Sequence, residues 1–291
     1  MARKRSGLFY LNPIPKKSLL LKNYHGLPYG AHMKTTAKLR KYYSRQIDSI
    51  EAILQKPGHA YTPGDFHALR LGIKKIKAIL TFLRFYDPDF NRDKYFKPFE
   101  ALFKLAGEVR EIHIQQTLLD QYKSDPLLEK YFADLASNLQ HHQGAFGELI
   151  DAKLRKKVKL NAKKVDAYFQ KAASRLMNKY LLDEQSRVDL LLKTEKLAKK
   201  DVHDLRKQIK NIYYLQKNFQ PRDKRLVIAD EFQEMLGKWH DDQVIAKDLL
   251  KGAQNHKLTS AEVKALMSLR KNILARASRL LTKIQQAKKS V

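Results

Sequence analysis

The sequence predicts an all-α chain. Three observations carry this. Apolar residues recur at helical spacing along nearly all of its 291 residues. No segment alternates with a period of two. Pro and Gly gather in short clusters between the periodic stretches. Residues 1–30 lack the period: Pro13, Pro15, Lys16 and Lys17 break their one apolar run, and they read as an irregular extension. The first helix is expected at 32–55, stopped by Pro57-Gly58. The second, at 64–86, follows Pro63-Gly64, has Asp65 placed to cap its N-terminus, and ends before Pro88. The third spans 91–122. The fourth, 127–155, follows Pro126, and the fifth is expected at 160–182. The sixth, 198–219, has Asp201 near its start and closes before Pro221. The last two span 223–252 and 259–289. Eight helices with short connections predict helical bundles.

Composition bounds the function. There are 58 Lys and Arg against 30 Asp and Glu, a formal net charge of +28. Self-repulsion on that scale opposes the compact state, so a neutralising partner is expected. Nucleic acid, anionic membrane and phosphate polymers all qualify, and all bind through counterion release. There is no cysteine, which removes disulfides, thiolate metal sites and cysteine nucleophiles. No run of about 18 apolar residues is present, so no membrane span is expected. Met1–Arg5 is basic, but Leu8–Leu11 is too short for a signal segment. A cytoplasmic protein is the expectation.

The helix count invites a test for duplication, and the test is positive. Residues 66–77 and 202–213 align in register. His67 matches His203, Arg70 matches Arg206, and Lys74 matches Lys210, while Leu69, Ile73 and Ile76 match Leu205, Ile209 and Ile212. Downstream, Ala106-Gly107-Glu108-Val109-Arg110-Glu111 corresponds to Leu236-Gly237-Lys238-Trp239-His240-Asp241. A Gly inside a helix costs about 1 kcal/mol relative to Ala, so its recurrence predicts close helix approach at both places. The halves divide near residue 158, giving 31–157 and 158–291.

On a helix, His67, Arg70, Lys74 and Lys77 fall three and four apart and share one stripe. Phe66, Leu69, Ile73, Ile76, Leu80 and Leu83 form the adjoining apolar stripe, which must face the core. The second copy sets His203, Arg206, Lys210 and Lys217 beside Val202, Leu205, Ile209 and Ile212. Like charges at this spacing repel, and no acid is interleaved in the first copy to relieve them. A regularly charged anionic polymer would: Arg forks two phosphate oxygens, Lys supplies a mobile point charge, and His donates more strongly when protonated. Snorkelling cations along a bundle rim are the bland alternative.

The doubled His-x-x-Arg-x-x-x-Lys pattern, each copy followed by Gly-x-x-Arg/His-Asp/Glu, resembles the CHAD family, the conserved histidine α-helical domain. The resemblance covers about residues 32–289. It implies two pseudo-symmetric antiparallel four-helix bundles forming one domain, with a basic central cavity or groove that binds inorganic polyphosphate without chemistry on it. It also implies association with polyphosphate granules. By matching position, the phosphate-facing residues would be His67, Arg70, Lys74, Lys77 and Arg110 in one half and His203, Arg206, Lys210 and His240 in the other. Glu111 and Asp241 would orient them. Two departures stand out. Glu111 replaces the more usual Asp, and Lys77 is matched by Tyr213. No Glu-x-Glu-x-Lys motif of a fused CYTH-type phosphatase is present.

Lys217, Arg270, Arg276 and Arg279 are further candidate anion contacts on charge alone. The run Lys153, Arg155, Lys156, Lys157, Lys159, Lys163, Lys164 between the halves reads first as a solvated junction and second as an extended anion track. No metal site is expected. There is no His-Glu-x-x-His, His141 and His142 are adjacent and diverge, and so do His240, Asp241 and Asp242. Neither Gly-x-Gly-x-x-Gly nor a P-loop appears, so no cofactor and no catalytic residue are expected. The competing reading is a nucleic-acid-binding basic helical protein. Against it, the cationic stripe borders the core seam and no protruding recognition helix is evident.

Overall fold

The structure is a computed structural model. It describes residues 29–57, 60–169, 174–219, 230–255 and 257–288, excluding within helices the side chains of 29–36, 174, 175 and 217–219. The described residues are helical throughout their regular structure: α1 (Tyr29–Leu54), α2 (Pro63–Tyr86), α3 (Arg92–Leu119), α4 (Glu129–Leu149), α5 (Ala152–Phe169), α6 (Ser174–Lys193), α7 (Lys199–Phe219), α8 (Asp230–Ala253) and α9 (Ser260–Ala287). Two single-turn 3-10 segments, Asp120–Tyr122 and Pro126–Leu128, join α3 to α4. Most of the extension expected at 1–30 lies outside the described residues, although 29 and 30 already belong to α1.

Among the described residues nine helices replace the expected eight, because the two stretches expected at 127–155 and 160–182 form three: α4 ends before 150–151, α5 runs through the gap expected at 156–159, and α6 starts at Ser174. Asp151 accepts from the amide of Leu154 at 2.6 Å and caps a new helix. No Pro marks this break, and Gly147 lies inside the last turn of α4, where its carbonyl accepts from the Ile150 amide. At α2 the cap is Thr62 rather than Asp65. Its hydroxyl accepts from the Asp65 amide, and the Asp65 carboxylate accepts from the Thr62 amide at 2.9 Å. Asp201 likewise accepts from the amide of Ala198, three residues earlier. The duplicated acids therefore both reach back from the third helical position to the amide that precedes the helix, and only at α2 does a side chain, that of Thr62, accept in return.

The two apolar stripes are buried as their spacing requires. Phe66, Leu69, Ile73, Ile76, Leu80 and Leu83 on α2, and Val202, Leu205, Ile209 and Ile212 on α7, join one core. Each such side chain contributes about 1.5–3 kcal/mol by leaving water. That core draws on both halves. A second core is built from Ile112, Leu119, Leu128, Tyr131, Leu135, Ile245, Leu249, Leu266, Leu269 and Ile273, again from both halves.

Within each half the helices pack in sequence, α1–α2–α3–α4 and α6–α7–α8–α9. Across the halves, α1 meets α6 and α7, α2 meets α6 and α7, and α3 meets α8. Exchanging α1 with α6, α2 with α7, α3 with α8 and α4 with α9 maps this set onto itself, a pattern consistent with duplication. α5 packs on α1 and α3 and has no counterpart in that exchange. Val158, at the expected junction of the halves, is buried inside α5.

Candidate functional site

Where α2, α3, α7 and α8 converge, a pocket of about 250 Å³ opens. Its walls bring together His67, Arg70 and Lys74 from α2, Arg110 and Glu111 from α3, Arg206 and Lys210 from α7, and His240 and Asp241 from α8. Three arginines, two lysines and two histidines thus face two carboxylates. Leu71, Ile114, Tyr214, Gly237, Val244 and Ile245 complete the lining. Tyr214 had a legible signal, since it falls four residues after Lys210 on the same stripe. The apolar members had none, because helices far apart in sequence bring them here.

The crowding of like charge shows in the titration of the walls. Burial, followed by Arg70, Arg206 and Lys210, pushes the Lys74 ammonium down to about 8, with Asp241 pulling the other way. Burial and then Arg206, His203, Lys74 and Lys207 push His240 down to about 3. Partial desolvation and then Arg110, Lys74, Lys210 and Arg70 lower His67. Desolvation also lowers Arg70, Arg206 and Lys210. It raises Glu111 against the pull of Arg70, and Asp241 against the pull of Arg206, Lys210 and Arg110. The two carboxylates of the wall do not neutralise its cations.

The matched arginines differ. Arg70 Nη1 donates to the carbonyl of Phe103 at 2.9 Å, and its guanidinium lies 4.6 Å from the centroid of the Phe103 ring. The residue matching Phe103 is Gln233, which offers no such platform. Arg206 Nε is buried and has no hydrogen-bond partner among the described residues. An orphaned buried donor costs about 1–3 kcal/mol or more when charged, so a ligand acceptor would relieve it.

The two interior glycines explain the asymmetry. A Cβ at Gly107 would stand 2.0 Å from Arg70 Nη1, so the bare backbone is what lets the Arg70 side chain pass. At Gly237 a Cβ would meet nothing within 4 Å, and this residue lines the pocket. The close helix approach expected at both positions is thus a side-chain passage at one and open space at the other. Gly237→Ala is expected to leave the fold intact and stabilise it by up to about 1 kcal/mol through helix propensity. Gly107→Ala should lose that gain, because Arg70 must leave the Phe103 carbonyl. Chemical denaturation of the two variants checks this.

The other candidate residues sit elsewhere. Lys77 does not line the pocket; its Nζ lies 5.1 Å from the centre of the Phe96 ring. His203 lies just outside, its ring 5.3 Å from that of His240. Arg276 forms a two-pronged ion pair with buried Asp242. Arg270 Nε donates to the carbonyl of Ala246 at 3.1 Å. Arg279 is exposed on α9. The side chain of Lys217 lies outside the described residues. Among the described residues no group of three His, Asp or Glu could hold a metal ion, and no helix is long and apolar enough to cross a membrane.

The profile of the CHAD domain matches residues 42–251. No curated protein sequence matches the chain. Two solved structures are similar in fold. The CHAD domain from the plant Ricinus communis superposes with a TM-score of 0.64 at 14% identity, over 90% of this chain and 91% of that one. PptA from Streptomyces chartreusis superposes with a TM-score of 0.67 at 14% identity, over 87% of this chain and 99% of that one.

Proposed function

The chain belongs to the CHAD domain family, and from that premise we propose that it binds inorganic polyphosphate in the pocket between α2, α3, α7 and α8, without chemistry on the polymer. The observation that carries the reading is Arg206. A guanidinium with a buried, unpartnered Nε stands in a wall of cations that outnumber their carboxylates. A chain of linked phosphates supplies acceptors at short, regular intervals and little else, which is what this wall can use. His67, Arg70, Lys74, Arg110, Arg206, Lys210 and His240 are the proposed contacts, with Glu111 and Asp241 orienting them. Lys77 and His203 extend the path beyond the pocket towards Lys207, which acts electrostatically on both. The same binding would hold the chain on polyphosphate granules.

The test is a competition titration at physiological salt, repeated across pH. Long-chain polyphosphate is expected to displace duplex DNA or RNA at low micromolar concentration or below. Equal affinity for nucleic acid would transfer the function to the competing reading. The pH profile follows from the walls. A bound polyanion raises the pKa of each cationic group, so binding takes up protons wherever the free group is neutral and the bound one charged. For Lys74, at about 8 in the empty pocket, affinity should fall as pH rises above about 8. His67 and His240 lie below the usual imidazole value of about 6.5, so affinity should rise as pH falls below it. Protonation of Glu111 and Asp241, both raised, acts in the same direction at low pH. The expected profile is a plateau between these limits with slopes on both sides. A profile flat from about pH 5.5 to 9 removes Lys74 and His67 as titrating contacts.

A further inference from the structure

α5 carries a second cationic surface that the pocket does not use. Val158, Val165 and Phe169 turn inward from it. Lys153, Arg155, Lys156, Lys157, Lys159, Lys163 and Lys164 are all exposed, and among the described residues none of them forms an ion pair. The acids flanking and on the helix are committed: Asp151 caps it, and Asp166 is held by both prongs of Arg40. Lys153–Lys157 and Lys159–Lys163 are four apart and repel. The helix is also the one without a counterpart in the duplicated packing. Its N-terminal end lies near the start of α2, the helix that carries His67. Arg155 acts electrostatically on Tyr61, whose ring centre is 5.9 Å from that of Phe66, the residue before His67.

We infer that the outer face of α5 is a second contact for the same polyphosphate chain, reached by chains long enough to leave the pocket at His67. The inference rests on polyphosphate being the pocket's ligand. The chemistry of the face favours this occupant. Its one large exposed apolar residue is Leu160, too little to insert into a lipid interface. The exposed face offers no aromatic ring on which a base could stack. A partner recognised by charge alone fits it, and two linked contacts on one polymer bind with an effective concentration set by the chain between them.

The experiment uses the full chain and two probes, tripolyphosphate and long-chain polyphosphate. One variant carries Lys156→Gln, Lys157→Gln, Lys163→Gln and Lys164→Gln. A control carries the same charge change at exposed positions elsewhere: Lys123→Gln, Lys257→Gln, Lys264→Gln and Lys271→Gln. In the α5 variant, long-chain affinity is expected to fall on the order of a hundredfold, the low end of the gain from bivalence. Its log–log salt dependence should become shallower by roughly 3. Tripolyphosphate affinity should stay at the wild-type value. Equal losses on both probes, no loss on either, or an equal loss in the control each overturn the inference. So does loss of DNA or anionic-vesicle binding with long-chain polyphosphate binding intact. A wild-type chain that binds neither probe overturns this inference together with the reading beneath it.

Discussion

Arg206→Met is expected to weaken polyphosphate binding by about 2–4 kcal/mol, roughly 30- to 1,000-fold, without lowering the melting temperature of the free protein. Both halves follow from one fact. Arg206 Nε is buried and has no hydrogen-bond partner among the described residues, so the fold gains no hydrogen bond there. Removing the guanidinium also ends its repulsion of Lys74, Lys210 and His240, while Asp241 keeps Lys210 and Arg110 beside it. The ligand does lose by it, because a phosphate oxygen seated against Arg206 loses its donor in a low-dielectric site. Calorimetric titration with thermal melting separates the outcomes. Binding retained within threefold would remove Arg206 from the site. A fall in melting temperature alongside lost binding would make it a structural residue.

Arg276→Met should do the reverse. Arg276 holds the Asp242 carboxylate with Nε at 3.0–3.1 Å and with Nη2. That side chain is only 3% exposed. Removing the guanidinium leaves a buried carboxylate unpaired, which costs about 3–5 kcal/mol. Urea unfolding should show this loss, and Arg276→Met with Asp242→Leu should restore much of it. Below the melting transition, polyphosphate affinity should be unchanged, because Arg276 does not line the pocket. A variant of wild-type stability with weakened binding would reassign Arg276 to the ligand, the role its charge alone suggests.

These two arginines mark where the sequence stops being legible. Both belong to basic stripes on amphipathic helices, and both read as anion contacts. The duplication reads clearly, because His67 with His203, Arg70 with Arg206 and Lys74 with Lys210 repeat in register with the apolar positions beside them. Most of the pocket's charged wall comes from that register. The break between α4 and α5 is hidden, since Asp151 caps a helix with no Pro before it and Gly147 is still helical in the last turn of α4. Gly107 and Gly237 look equivalent, yet one makes room for a side chain and the other borders the pocket. Lys77 continues its stripe by spacing, but its ammonium lies by Phe96 instead of facing the pocket.

By itself the sequence determined that the chain is helical, which face of α2 and of α7 enters the core, and that a cationic stripe borders each. Period and register set these properties, and both are local. Only the tertiary structure decided which cations are already satisfied. Arg70 finds its acceptor 33 residues away in Phe103, and Arg276 finds Asp242 34 residues away. Arg206, matching Arg70 in register, has no acceptor for its Nε among the described residues. Whether a buried charge is paired depends on how distant helices pack, and helical spacing does not carry that information.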